Sequence, residues 1–197
     1  MKKDDFEIYV FSYNRGIFLE NCLNSLSVCA KGISVTVIDD NSDETVTCEV
    51  LNNYRSKFRL LKSEKSDSSN AKLGGLYSNM VKAFSDGLAR GKKYAIFIQD
   101  DMQFVRDVED NDLLVIEEFF KNNKNSAQLQ SCFFKHLESE VDRKFVQVDD
   151  EMPYYLRGLD HPVCSSYSDV GVFCIERFNS PNSSSFYVVG HQHHQAI

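Results

Sequence analysis

Two aspartates, Asp100 and Asp101, stand at the end of a short apolar run that opens at Tyr94 and reaches Ile98. Adjacent carboxylates are costly neighbours, because like charges at close range raise each other's pKa unless a cation or a hydrogen-bond donor meets them. Hard oxygen ligands so placed suit Mg²⁺ or Mn²⁺ held against substrate phosphates. The plainer alternative is that the pair closes a strand and caps the next turn, since aspartate favours turns for local reasons. A second acidic pair, Asp39 and Asp40, follows another apolar run, and a polar corner, Ser12-Tyr13-Asn14-Arg15, ends a third. The usual phosphate devices are missing: no GxGxxG follows the first run, and no GxxxxGK[ST] occurs anywhere. Gly74-Gly75 is too isolated to cradle a phosphate. A cation held by Asp101 is the substitute, bridging two phosphates of a nucleoside diphosphate.

The elements that must position these residues follow from periodicity. Phe6–Ser12 is a strand, and the next segment sets Phe18, Leu19, Cys22, Leu23 and Leu26 at helical spacing, with Asn14 as its N-cap. Gly32–Asp39 is a second strand, and Ser42, with Asp43 and Glu44 behind it, opens a helix through Val46, Val50, Leu51 and Tyr54. Phe58–Leu61 is a short third strand, and the polar stretch Lys62–Asn70 is a loop. Ala71–Arg90 is the best helix, with Leu73, Leu76, Tyr77, Met80, Phe84 and Leu88 along one side and Gly91 at its C-terminal glycine position. The order βαβαβαβ up to Gln103 predicts a mostly parallel sheet with right-handed crossovers. Its strand ends share one edge, where ligands of open α/β sheets bind. Beyond it, Leu113–Phe120 reads as a helix, and Gln128–Phe134, Lys144–Val148 and Val170–Ile175 read as strands. The tail from Asn179 shows no period apart from the apolar Phe186–Val189.

A chain of 197 residues suits one domain with a sizeable core. A formal net charge of −7 argues against a nucleic-acid surface and against polybasic attachment to anionic lipid. Six cysteines without CxxC spacing read as free thiols of a reducing compartment rather than a zinc cluster. The first ten residues, MKKDDFEIYV, lack the apolar core of a signal peptide, and no segment approaches the ~20 apolar residues of a membrane span. The expected location is cytoplasmic, with peripheral attachment at the inner membrane face as the compatible variant.

These segments resemble the nucleotide-binding half of family 2 glycosyltransferases of the GT-A fold. Phe11-Ser12-Tyr13-Asn14-Arg15 is similar to the P-T-Y-N-R corner, with Phe11 in place of the proline, and Val37-Ile38-Asp39-Asp40-Asn41-Ser42 to the V-D-D-G/N-S motif. Leu73–Gly91 resembles the helix before the metal strand, and Ile98-Gln99-Asp100-Asp101 stands where the D-x-D motif falls, with Gln99 at its first acidic position. The likeness covers residues 6–105.

The resemblance implies an α/β domain of GT-A type, a mostly parallel central sheet flanked by helices in a Rossmann-like αβα sandwich. Residues 1–105 would form the nucleotide-binding half, 106–180 a short acceptor-side half and 181–197 a tail. It implies inverting, metal-dependent transfer from a nucleotide-diphospho-sugar, UDP-linked first, to a glycan or lipid-linked acceptor in surface polysaccharide synthesis. Mn²⁺ or Mg²⁺ would sit on Asp101, with Asp100 as a ribose or supporting partner. Asp39 or Asp40 would accept a hydrogen bond from the base, and Ser12, Tyr13, Asn14 and Arg15 would lie near the nucleoside and phosphates. Lys72 would reach a phosphate, although a solvated lysine at a helix start explains it as simply. The family's acceptor-side base usually lies in an E-D pair well downstream; no convincing one is found, and Asp169 in Ser166-Tyr167-Ser168-Asp169-Val170-Gly171 is the best candidate. His191 is the candidate third metal ligand, against an unstructured terminus. The rival expectation is a non-catalytic or truncated nucleotide-binding module of the same fold. A phospho-receiver domain is set aside, because it needs an acid pair after the first strand.

Overall fold

The computed structural model describes residues 2–63, 75–124, 126–130, 146–148, 154–157, 170–178 and 188–191. Aromatic and β-branched runs make the first strands: β1 (Phe6–Ser12), β2 (Ser34–Asp39), β3 (Arg59–Lys62) and β4 (Tyr94–Gln99). Shorter strands follow: β5 (Gln128–Gln130), β6 (Val146–Val148), β7 (Tyr154–Arg157), β8 (Gly171–Cys174) and β9 (Val188–His191). The described strands form one sheet in the order β3-β2-β1-β4-β8-β5-β9-β7-β6. β1 pairs in parallel with both β2 and β4, and β2 with β3. Chain order therefore reverses between β1 and β4, the switch point at which open α/β sheets bind ligands. β8 runs antiparallel to β4 and β5 and joins this parallel half to a mixed one. The expected α/β sheet is present, with its parallel character concentrated in β1–β4.

Five helices accompany the strands among the described residues: α1 (Gly16–Cys29), α2 (Thr45–Tyr54), α3 (Leu76–Ala89), α4 (Asp110–Asn122) and α5 (Ile175–Phe178). The alternation of β1 divides the core in two. Phe6, Ile8 and Val10 pack with Leu19 and Leu23 of α1, Val50 of α2 and Phe119 of α4. Tyr9 and Phe11 pack with Met80, Ala83 and Phe84 of α3 and with Phe97 and Phe173. Helices thus cover both faces, as an αβα sandwich requires.

Two helix faces differ from their sequence reading. Phe18 lies half exposed on α1 rather than in the core, and α3 turns Tyr77 (77% exposed) and Leu88 to solvent. α3 buries Met80 and Phe84 as expected, together with Asn79, Ala83 and Gly87. Gly87 lets the helix approach the sheet side closely. A Cβ at position 87 would come within 2.7 Å of Ile175 Cδ1 and 3.2 Å of the Tyr9 hydroxyl. Leu73 and the loop expected over 64–70 lie outside the described residues. Gly91 stands where expected: with φ +68° it ends α3 as Gly91 N–H donates to Leu88 O and Lys92 N–H to Gly87 O.

A buried ionic network ties that end of α3 to the sheet. Glu7, fully buried on β1, accepts from Thr36 Oγ1 at 2.6 Å and from the Ser34 hydroxyl, and pairs with Arg90 at 2.8 Å and Lys92 at 3.4 Å. Tyr9 donates its hydroxyl to Asp86 at 2.9 Å, which also meets Arg59 at 2.6 Å.

Candidate active site

The registers Ser12↔Asp39 and Phe11↔Gln99 set the carboxyl ends of β1, β2 and β4 abreast. Two backbone bonds lace them together: Asp40 N–H to Ser12 O at 2.9 Å and Asp100 N–H to Phe11 O at 3.1 Å. The acidic pair and the polar corner meet here. Arg15 reaches Asp100 Oδ1 at 3.3 Å with one guanidinium nitrogen and Asp101 Oδ2 at 3.1 Å with the other. Its guanidinium also lies over the Phe18 ring, 4.8 Å from the centroid. Tyr13 N–H donates to Asp100 Oδ2 at 3.4 Å.

Burial is the main influence on Asp100 and pushes its pKa above the ordinary aspartate range. The Ser12 hydroxyl, the Arg15 charge and the Tyr13 N–H pull it down without offsetting that burial, and Asp101 adds repulsion. Ser12 Oγ is buried beside Asp100, yet makes no hydrogen bond of regular geometry among the described residues. Beneath the acids, burial first and then the charges of Asp100 and Asp101 push the Cys22 thiol up to about 12. That thiol stays protonated at neutral pH.

The other acidic pair does structural work within the same crevice. Asp39 is fully buried and takes the Ser42 N–H at 3.0 Å and the Ser42 hydroxyl at 2.5 Å. Asp40 takes Gly75 N–H at 2.6 Å and Asn79 Nδ2 at 3.2 Å, tying the β2 corner to the start of α3. An ionised carboxylate offers about four acceptor positions, so both keep capacity for a further donor.

Asn14 does not cap α1; the residue at that N-cap is Arg15, with no side-chain cap bond. Held at φ +49°, Asn14 accepts the N–H groups of Asp43 at 2.9 Å and Glu44 at 3.0 Å, and so serves the start of α2. Glu44 returns the service by accepting Gly16 N–H at 3.0 Å. Ser42 caps neither helix, because its hydroxyl is engaged by Asp39 and by the Asn14 N–H at 2.9 Å. The two corners are neighbours in space, so each helix start is satisfied by the other's loop. Among the described residues, both non-glycine residues in the left-handed region, Asn14 and Asn41 at φ +59°, lie in these corners.

A nucleotide-bound Mg²⁺ or Mn²⁺ is typically held by one or two carboxylates, with phosphates and water completing the shell. Asp100 and Asp101 fit that demand. They do not make an all-protein cage: no group of three or more His, Cys, Asp or Glu able to hold a metal occurs among the described residues. His191 ends β9, which runs parallel to β5 and sits three strands from β4, ~14 Å across the sheet at ordinary strand spacing. Asp169 and Lys72 lie outside the described residues. Sequence reasoning named Arg15 without its bridge to both acids, and it missed Asn79, Gly75 and Glu44 as braces of the crevice. A three-dimensional corner leaves no periodic signal for such residues.

The sheet order, the switch point and the acid-lined edge define a GT-A-type fold. Among solved structures, the chain is similar to S. aureus TarS 1-349 in complex with UDP (TM-score 0.55, 18% identity, 90% of this chain and 48% of that one). It is also similar to the mannosyltransferase PcManGT from Pyrobaculum calidifontis in complex with GDP-Man and Mn²⁺ (TM-score 0.53, 10% identity, 91% of this chain and 48% of that one). At these identities the likeness is one of fold, and the chain spans about half the length of each. No protein-family model and no curated protein sequence matches the chain. No helix of the described residues is long and apolar enough to cross a membrane.

Proposed function

We propose that the chain is a glycosyltransferase of the family 2 kind, moving a sugar from a nucleotide-diphospho-sugar, a UDP-sugar first, to a hydroxyl of a glycan or lipid-linked acceptor. One observation carries this reading: Arg15, Asp39, Asp40, Asp100 and Asp101 converge at the switch point of a parallel sheet. The fold is that of proteins solved with UDP and with GDP-Man and Mn²⁺, which supports a donor of this class.

In this reading Asp101, backed by Asp100, holds Mn²⁺ or Mg²⁺. Such an ion, when bound, neutralises charge on the departing diphosphate. Arg15 and Ser12 serve the phosphates and ribose, with Lys72 as a further phosphate contact. Tyr13 offers its half-exposed ring to the base, and Asp39 or Asp40 accepts a base N–H. Asn14 holds the corner in shape. The acceptor oxygen attacks the anomeric carbon opposite the diphosphate, the bond to the phosphate oxygen breaks with its electron pair leaving on that oxygen, and the configuration inverts. The hydroxyl proton passes to a base, for which Asp169 is the candidate. His191 is a more distant candidate ligand. Surface polysaccharide assembly on the cytoplasmic side of a membrane is the setting proposed by the resemblance.

Incubation with UDP-sugars and Mn²⁺, following released UDP, tests the proposal. Slow donor hydrolysis that disappears in Asp101→Ala is expected. A second reading, a nucleotide-binding module without turnover, is favoured by Gln99 at the first acidic position and by an arginine that already neutralises the acids. Nucleotide binding with no UDP release from any donor would establish it.

A further inference from the structure

Arg15 stands on the two carboxylates that a divalent cation would use. Its planar fork spends one nitrogen on each. The surroundings divide the acids unequally: the Asp100 side chain is only 4% exposed, whereas those of Asp101 and Arg15 are 39% and 40% exposed. Without Arg15, Asp100 would keep the Tyr13 N–H and the nearby Ser12 hydroxyl, too little for a charge so far from water. Ionised, Asp100 therefore calls for a cation beside it, either the guanidinium or an ion.

The backbone on either side of Arg15 is braced, and its side chain is 40% exposed. Asn14 is braced by Ser42, Asp43 and Glu44, and Gly16 by Glu44. A Cβ on Gly16 would come within 2.6 Å of Thr47 N, so the first turn of α1 packs directly against the start of α2. The guanidinium rests on Phe18, whose half-exposed ring gives it a platform at the mouth of the crevice.

We propose that Arg15 is an internal counter-cation that competes with a divalent metal for Asp100 and Asp101 and yields when a nucleoside diphosphate draws its guanidinium away. This rests on reading the crevice as a cation and diphosphate site. Diphosphate oxygens attract a guanidinium bidentately. The nucleotide therefore removes the competitor as it supplies new ligands, so metal and nucleotide assist each other's binding by the same factor. Metal alone binds poorly, because the competent state is a minority. If the bridged state holds ~90% of molecules, apparent metal affinity falls about tenfold.

The test is Mn²⁺ binding by electron paramagnetic resonance on the unmodified chain, Arg15→Gln and Arg15→Lys, with and without UDP and corrected for Mn²⁺–UDP in solution. Arg15→Gln is expected to bind Mn²⁺ alone about tenfold more tightly than the unmodified chain. The gain in Mn²⁺ affinity on adding UDP should shrink by the same factor. Arg15→Lys, which keeps the charge but loses the planar two-nitrogen fork, should fall between them and serves alone if the glutamine variant does not fold. If Mn²⁺ binds the unmodified chain in the presence of UDP while the variants bind Mn²⁺ alone no more tightly than it does, the competition is overturned and the site stands. If no variant binds Mn²⁺ even with UDP, the site reading falls and the competition with it.

Discussion

Burial should drive Glu7 toward its neutral form, and it is the largest single influence on that carboxyl. Hydrogen bonds from Ser34 and Thr36 and the bond and charge of Arg90 outweigh it, holding the pKa below the ordinary value of 4.5. A carboxyl depressed in the fold contributes stability above its unfolded pKa, and that contribution is lost as pH falls through the folded pKa. Glu7→Gln leaves Arg90 and Lys92 without their counter-charge and should cost about 3 kcal/mol at neutral pH. In urea denaturation the gap between the two proteins should close on acidification below the ordinary glutamate range. Asp100 has the opposite sign. Its raised pKa means that its ionised form costs stability, a cost absent below the unfolded pKa and complete above the folded one. Asp100→Asn should therefore melt no lower than the unmodified chain near neutral pH while losing Mn²⁺-dependent UDP binding. A fall in both would make Asp100 a structural residue rather than a functional one.

The β1–α1 and β2–α2 corners are joined by exchanged caps, so one side chain controls two elements. Asn14→Ala removes the acceptor for the Asp43 and Glu44 N–H groups and puts alanine at φ +49°. Loss of about 1–2 kcal/mol is expected by thermal or chemical melting, and Asn14→Asp, which keeps the acceptor but sets a carboxylate against Asp43 where Asn14 Nδ2 donates at 2.7 Å, should recover only part of it. Gly91→Ala, at φ +68° with open space around the position, tests conformation alone and should cost ~1 kcal/mol. These elements also show what the sequence could and could not reveal. β1, β2 and β4 were legible because each is a continuous apolar run, and Gly91 because a helix end needs it locally. The α3 face was not, since Tyr77 and Leu88 look like core until the rings of Phe97 and Phe173 claim the space. Asn14 was read as the nearer helix's cap because spacing rules see one chain segment, whereas the bond crosses to the next corner. β7 and β9, at four residues each, are too short for a period to register.

Across the molecule, the parallel half supplies the acids and the polar corner, and β8 couples it to the mixed half through antiparallel pairing with β4. The candidate residues were legible as types at strand ends, and the structure brings Asp39, Asp40, Asp100, Asp101 and the 12–15 corner to one edge. Their present partners were not, because Arg15 meets Asp101 across 86 residues of chain. The division of labour predicts that changes in the β1–β4 edge act on donor and cation, while the acceptor is chosen elsewhere. A ligand that binds the folded state alone must stabilise it, so donor binding is measurable without knowing the acceptor. Calorimetric titration of UDP into the unmodified chain and into Asp101→Ala, each with and without Mn²⁺, measures the proposed pocket directly. The account predicts binding to the unmodified chain that strengthens sharply with Mn²⁺, and no such strengthening in Asp101→Ala. UDP binding indifferent to both the metal and Asp101, or none under any condition, would contradict it.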